Sequence, residues 1–171
     1  MPRQLEYENY VIRNVKRIEW CNFEGRNTNG YNPNNKKSFV AVLNEEDAAY
    51  LEEKMVHVYR KAFSNDPDAE LEPYINVKIN FREWNGRLEP VVYKCIDKSN
   101  PVLLDDITSA ELDSSIILGA HIEITLSNKL YKSPGDGNEY RPTYLKLGYF
   151  DVDGERVRNY GRIDPFKSLY E

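Results

Sequence analysis

The chain has 171 residues, 40% hydrophobic and 30% charged, a profile that fits one ordinary globular domain and excludes fibrous and low-complexity classes. Its net charge of −5 argues against a globally basic polyanion binder, so any anion-binding role needs a local basic face. Cys21 and Cys95 lie far apart without C-x-x-C spacing, which removes zinc and redox motifs and leaves both as small apolar residues of strand-like runs.

In chain order, residues 11–23 read as a long first strand with Val11, Ile12, Val15, Ile18 and Trp20 as its apolar members. Their spacing is not strictly two, which fits a bulge or strong curvature. The segment 20–39, WCNFEGRNTNGYNPNNKKSF, places Trp20, Phe23 and Tyr31 among Arg26, Lys36, Lys37, two glycines and six asparagines. Residues 38–43 form a second strand. Asn44 then caps a helix whose first turn holds Glu45, Glu46 and Asp47 and whose apolar stripe is Ala48, Leu51 and Met55. SNDPDAELEP is an acidic surface loop. Residues 74–82 alternate, with Ile75, Val77, Ile79 and Phe81 on one face and Asn76, Lys78, Asn80 and Arg82 on the other. Asn85-Gly86 signals a hairpin returning over 91–96.

Thr108 and Glu111 have capping-box spacing and predict a short acidic helix. Ala120, Ile122, Ile124 and Leu126 alternate with His121, Glu123 and Thr125, giving another half-buried strand. SPGDGNEYRP is a turn or exposed loop. Residues 143–152 form the last strand, with Leu145, Leu147 and Tyr149 opposite Tyr144, Lys146 and Phe150. About six strands and two short helices predict a mainly β, antiparallel fold. An OB-fold-like barrel fits, because closure removes exposed edges; a two-sheet β-sandwich is the alternative. The whole of 1–171 reads as one domain, with a core over about 10–152 and an irregular C-terminal extension over 153–171.

Catalytic signals are weak. There is no G-x-G-x-x-G and no P-loop. DVDGE at 151–155 lacks the twelve-residue calcium pattern and reads as a strand-end turn. His57 and His121 are the only histidines, and His121 falls on a strand as a surface residue. Asp105-Asp106 favours the start of the following helix. A non-enzymatic protein without cofactor or metal is expected.

Charge is unevenly placed. Residues 1–42 carry +3 and 76–104 carry +2, whereas 43–75 carry −6 and 105–124 carry −5. The acidic segments fall on predicted helices and the basic ones mainly on strands. Thirteen Tyr against 6 Phe and 2 Trp suit strands and also surfaces, where a ring keeps its hydroxyl solvated. Loop rings beside cations suit single-stranded nucleic acid, whose bases stack while its phosphates pair. Trp20 and Phe39 adjoin strands and are expected in the core.

The order Trp20, Asn22, Phe23, Gly25, then Tyr31-Asn32, then Lys37 and Phe39, then a strand and an acid-headed helix, resembles a family of bacteriophage single-stranded DNA-binding proteins with an OB-type barrel. PYINVKINF, Leu112-Asp113 and YLKLGYF resemble it too, so the likeness covers roughly 10–152. It implies sequence-tolerant binding of single-stranded DNA, no cofactor, and a role in phage replication or recombination in the host cytoplasm beside other proteins of those processes. The long Asn-rich loop 26–37 and the insertion at 133–142 depart from the pattern. The chain ends in RIDPFKSLYE rather than an acidic tail.

On this reading Arg26, Lys36, Lys37, Lys78, Arg82 and Lys146 meet phosphates, and Phe23, Tyr31, Trp84 and Tyr144 stack bases. The competing expectation is a non-enzymatic β-rich protein-interaction or virion assembly component, since Tyr and Arg serve protein interfaces equally well. No membrane contact is expected: no stretch approaches the ~20 apolar residues of a span, and MPRQLEYENY lacks the apolar run of a signal peptide.

Overall fold

Alternating apolar residues supply the strands whose inner faces meet in the core. The computed structural model describes residues 10–27, 30, 32–96, 99–127 and 129–157, and their side chains except those of 84, 99, 119–121 and 154–157. The elements are β1 (Tyr10–Ile12), β2 (Arg17–Asn22), β3 (Lys37–Val42), α1 (Glu45–Glu53), β4 (Tyr59–Lys61), β5 (Glu72–Ile79), β6 (Arg82–Trp84), β7 (Arg87–Glu89), β8 (Val91–Ile96) and β9 (Ser99–Leu104). A 3-10 helix (Thr108–Ser114) comes next, then β10 (Ser115–Leu126), β11 (Tyr131–Lys132), β12 (Glu139–Tyr140) and β13 (Leu145–Val157).

Two larger sheets share one core. The five-stranded sheet has the order β1-β10-β13-β8-β9, the four-stranded sheet β2-β3-β5-β4, and β6-β7 and β11-β12 are separate hairpins. The mainly β class with two short helices is as read from the sequence. Among the described residues no sheet closes into a barrel. Instead, one backbone hydrogen bond crosses between the sheets at each of two points: Val15 N–H donates to the Ile122 carbonyl (3.2 Å), and Lys78 N–H to the Thr143 carbonyl (2.8 Å). All strand pairs are antiparallel except β8 with β13.

Three phenylalanines join the sheets. Phe23, Phe39 and Phe150 are fully buried, with each pair of ring centroids 5.4 Å apart; Phe23 stacks on Phe39, and Phe150 meets both edge-on. Burying each ring contributes about 2 kcal/mol. Gly148 makes room for this arrangement, because a Cβ there would lie 2.6 Å from Cε2 of Phe150.

Several sequence expectations shift for identifiable reasons. The first strand divides at residues 13–16, where Val15 turns its N–H across to β10 rather than along the β2–β3 ladder. Asn44 does cap α1, its Oδ1 accepting the Asp47 N–H (2.8 Å), and Ala48 and Leu51 are buried. Met55 is not on that stripe: the helix ends at Glu53, and Met55 is exposed with φ +65°. Asn85 and Gly86 both adopt positive φ, as a type I′ hairpin requires, but the returning strand is β7. Residues 91–96 form β8 of the other sheet.

The expected capping box is replaced by Asp105, whose Oδ1 accepts the N–H groups of Ile107 (3.0 Å) and Thr108 (2.7 Å). Phe150 does not share an outer face with Lys146, because register shifts between Thr125 and Leu126 and turns Phe150 inward. DVDGE lies inside β13, not in a turn, and β13 runs to Val157, five residues into the stretch read as irregular. The loop 133–142 holds the turn and the second strand of the β11–β12 hairpin, whose first strand precedes it. No helix among the described residues is long and apolar enough to cross a membrane.

One ion cluster ties β2 to β5. Glu72 accepts Lys16 Nζ (2.6 Å) and Arg17 Nη1 (3.0 Å) on Oε1 and pairs with Arg17 Nη2 through Oε2. The Arg17 guanidinium, helped by Lys16, pulls the Glu72 carboxyl from its ordinary 4.5 down to about 2. A depressed carboxyl stabilises the fold above its unfolded pKa and loses that contribution as pH falls through the folded value. Glu72→Gln is therefore expected to lower stability by about 1 kcal/mol at pH 7, with the gap to wild type closing between pH 4.5 and 2. Urea unfolding at a series of pH values checks this; a gap that persists at pH 2 contradicts it.

Candidate nucleic-acid interface

The β2–β3 loop takes its shape from a bulge. Glu19 faces Val40 while Asn22 faces Ser38, so three steps of β2 span two of β3. The extra residue reverses the parity of the strand. Cys21 and Phe23 turn into the core, and Trp20, with φ +46°, is turned out and 53% exposed. The expectation that Trp20 belongs to the core is thus corrected, whereas Phe39 is buried as expected.

Asp113 of the 3-10 helix anchors the loop. Its buried carboxylate accepts the Phe23 N–H on Oδ1 (2.8 Å) and the Glu24 N–H on Oδ2 (2.9 Å). Arg26 Nη2 lies 3.9 Å from the same carboxylate and donates to the Cys21 carbonyl at 3.2 Å. Asparagines brace the rest of the loop. Asn22 accepts the Arg26 N–H (2.8 Å) and donates to its carbonyl (3.1 Å). Asn32 donates to the carbonyls of Arg26 (3.0 Å) and Lys36 (2.7 Å) and accepts the Lys36 N–H (3.0 Å). Asn35 donates to the Gly25 carbonyl at 2.9 Å. Gly25 has φ +76°, and a Cβ there would sit 2.5 Å from the Asn35 carbonyl oxygen, so only glycine fits. The amides thus satisfy a backbone that has no ladder partner.

The braced loop lines an open groove of about 1300 Å³. Trp20, Arg26 and Lys36 line it from β2 and the loop, Asn76, Lys78 and Phe81 from β5 and its continuation, Asp106 and Ile107 from the helix approach, and Tyr144 from the segment before β13. The charged side chains lining it are Arg26, Lys36, Lys37 and Lys78 against Glu24 and Asp106, a cationic excess in a chain of net charge −5.

These cations are not equivalent. Arg26 is engaged within the loop, and Lys37 pairs with Asp106 through both its carboxylate and its backbone carbonyl. Lys37 Nζ also lies 5.4 Å from the Phe81 ring centroid. Lys36 and Lys78 pair with no carboxylate among the described residues. Lys78 Nζ lies 5.6 Å from the Tyr144 ring centroid, a cation beside a ring.

Of the residues expected to bind, Arg26, Lys36, Lys37, Lys78 and Tyr144 come together in this groove. Phe23 is corrected to a core residue: with its ring sealed between Phe39 and Phe150 it offers no face to a base. Arg82 is exposed on the β6–β7 hairpin and Lys146 on β13, and neither lines the groove. Arg82 separates from Lys78 because β5 ends at Ile79. Tyr31 lies outside the described residues, as does the side chain of Trp84. Sequence reasoning missed Trp20, Phe81, Asn76 and Asp106. The irregular apolar spacing of residues 11–23 signals a bulge in this stretch but not its position, so it does not by itself place Trp20 outside.

Comparison with protein-family models, curated proteins and solved structures returns no match.

Removing the anchor tests this construction. Asp113→Ala leaves the Phe23 and Glu24 N–H groups without acceptors and is expected to cost about 2 kcal/mol. Limited proteolysis of that variant should cut first within 24–36. Wild-type stability and an unchanged cleavage pattern would contradict the role given to Asp113.

Proposed function

We propose that this chain is a non-enzymatic, sequence-tolerant single-stranded DNA-binding protein whose strand lies in the groove between the β2–β3 loop and β5. The observation that carries the reading is the composition of that groove. Two lysines without carboxylate partners among the described residues, Lys36 and Lys78, stand among the rings of Trp20, Phe81 and Tyr144 and the amides of Asn22 and Asn76. Rings take the faces of unstacked bases and ammonium groups take phosphates, and neither contact selects a sequence. Duplex DNA keeps its base faces covered, so it loses the stacking contribution of about 1–3 kcal/mol per base. Action in phage replication or recombination rests on the sequence resemblance alone.

The competing protein-interaction reading draws on a different feature. β9 is an outer strand of the five-stranded sheet, and its Leu103 is 62% exposed. That reading expects a stable oligomer indifferent to DNA.

Anisotropy titrations of labelled oligo-dT at several salt concentrations separate the two. Replacing both Lys36 and Lys78 by Ala should weaken binding and reduce the slope of log K against log salt by about 1.4, at roughly 0.7 per phosphate contact on a single strand. Asp106→Asn should move the other way, tightening binding several-fold by releasing Lys37 from its internal anion. An unaltered slope in the double variant, together with no gain in Asp106→Asn, would remove the groove as the binding site.

A further inference from the structure

Beyond the groove, the four-stranded sheet carries a second array of rings. The Trp20 ring centroid lies 5.4 Å from that of Phe63 and 6.3 Å from that of Tyr74. Phe63 and Tyr74 are 5.4 Å apart, and Tyr74 and Tyr59 stack at 5.6 Å with planes 24° apart. Tyr59 is 45% exposed at the edge strand β4. The Lys61 ammonium lies 4.3 Å from the Trp20 centroid and pairs with no carboxylate among the described residues.

Two facts join this array to the groove. Trp20 belongs to both. Tyr74, Asn76 and Lys78 alternate along β5 and so share its outward face, with Tyr74 about 13 Å from Lys78 at ~3.3 Å per residue. On the sheet and on α1 the carboxylates are paired, Glu72 with Lys16 and Arg17, and Glu45 and Glu52 with Arg60; Asp66, Asp68 and Glu70 lie in the exposed loop between Phe63 and Tyr74.

We infer that the groove is one half of a longer track, and that a single strand leaving it past Lys78 continues over Trp20 onto Tyr74 and Tyr59. Bases lie against these rings, and Lys61 meets the backbone at the crossing. The inference rests on the groove reading and adds a second subsite to it. A single strand, rather than a peptide, fits the continuity with the groove and the cation set beside the Trp20 ring.

The test uses two labelled oligo-dT lengths, about 4 and about 12 nucleotides, within the range of site sizes of single-strand binders. Tyr59→Ala should weaken the longer one about tenfold and leave the shorter one unchanged. Tyr59→Phe, which keeps the ring and the edge strand, should bind both like wild type. Lys78→Ala should weaken both. If Tyr59→Ala binds the longer oligonucleotide like wild type while Lys78→Ala still weakens both, the second subsite is overturned and the groove reading stands; an array serving a protein partner would give this result. If wild type binds neither length, both readings are overturned.

Discussion

A buried carboxylate sets the geometry on which the candidate interface depends. Asp113 takes two consecutive N–H groups, those of Phe23 and Glu24, where the chain leaves β2 and has no strand partner for them. Left unpaired, the buried Phe23 N–H would cost about 1–3 kcal/mol, and the part-buried Glu24 N–H less. Held there, the backbone turns the Phe23 ring inward to the Phe39–Phe150 pair and sends the next residues outward. The same carboxylate attracts Arg26, which the Asn22 amide holds from both sides of its peptide unit. One acidic group on a short helix thus couples the core to the shape of a surface loop.

Electrostatics in the groove is a competition between internal and external anions. Lys37 already has an anion in Asp106, and Arg26 has Asp113 and Glu24 near it. Lys36 and Lys78 have none among the described residues. This division explains how a chain of net charge −5 can offer a polyanion a local site. A phosphate arriving at Lys37 exchanges one anion for another and gains little. A phosphate arriving at Lys78 meets an ammonium that pairs with no carboxylate among the described residues, beside the Tyr144 ring.

Much of this fold was legible where local rules act alone. The alternation of β5 as far as Ile79, the Asn44 cap and the Asn85-Gly86 turn each follow from a few neighbouring residues and are found as read, whereas Phe81 and Arg82 fall beyond the strand. What was not legible depends on one residue more or less in a ladder. The β2 bulge exchanges the fates of Trp20 and Phe23, and the register shift in β13 sends Phe150 inside. Nothing in the local sequence marks which residue is the extra one, because the choice is made by the partner strand. The asparagines of the loop read as polar backbone between rings and cations. Their bonds to Arg26, Lys36 and Gly25 show that they fix it, a role that only the folded path of the chain reveals.

The central claim is that single-stranded DNA occupies the groove beside Lys78. Amide chemical-shift mapping with an added oligo-dT tests it most directly, because it reports binding and place together. The account predicts shifts concentrated over 32–38, 76–81 and 106–110, reversed by excess unlabelled single strand and not by duplex. No shifts at low salt, or shifts confined to β9 and the β11–β12 hairpin, would contradict it.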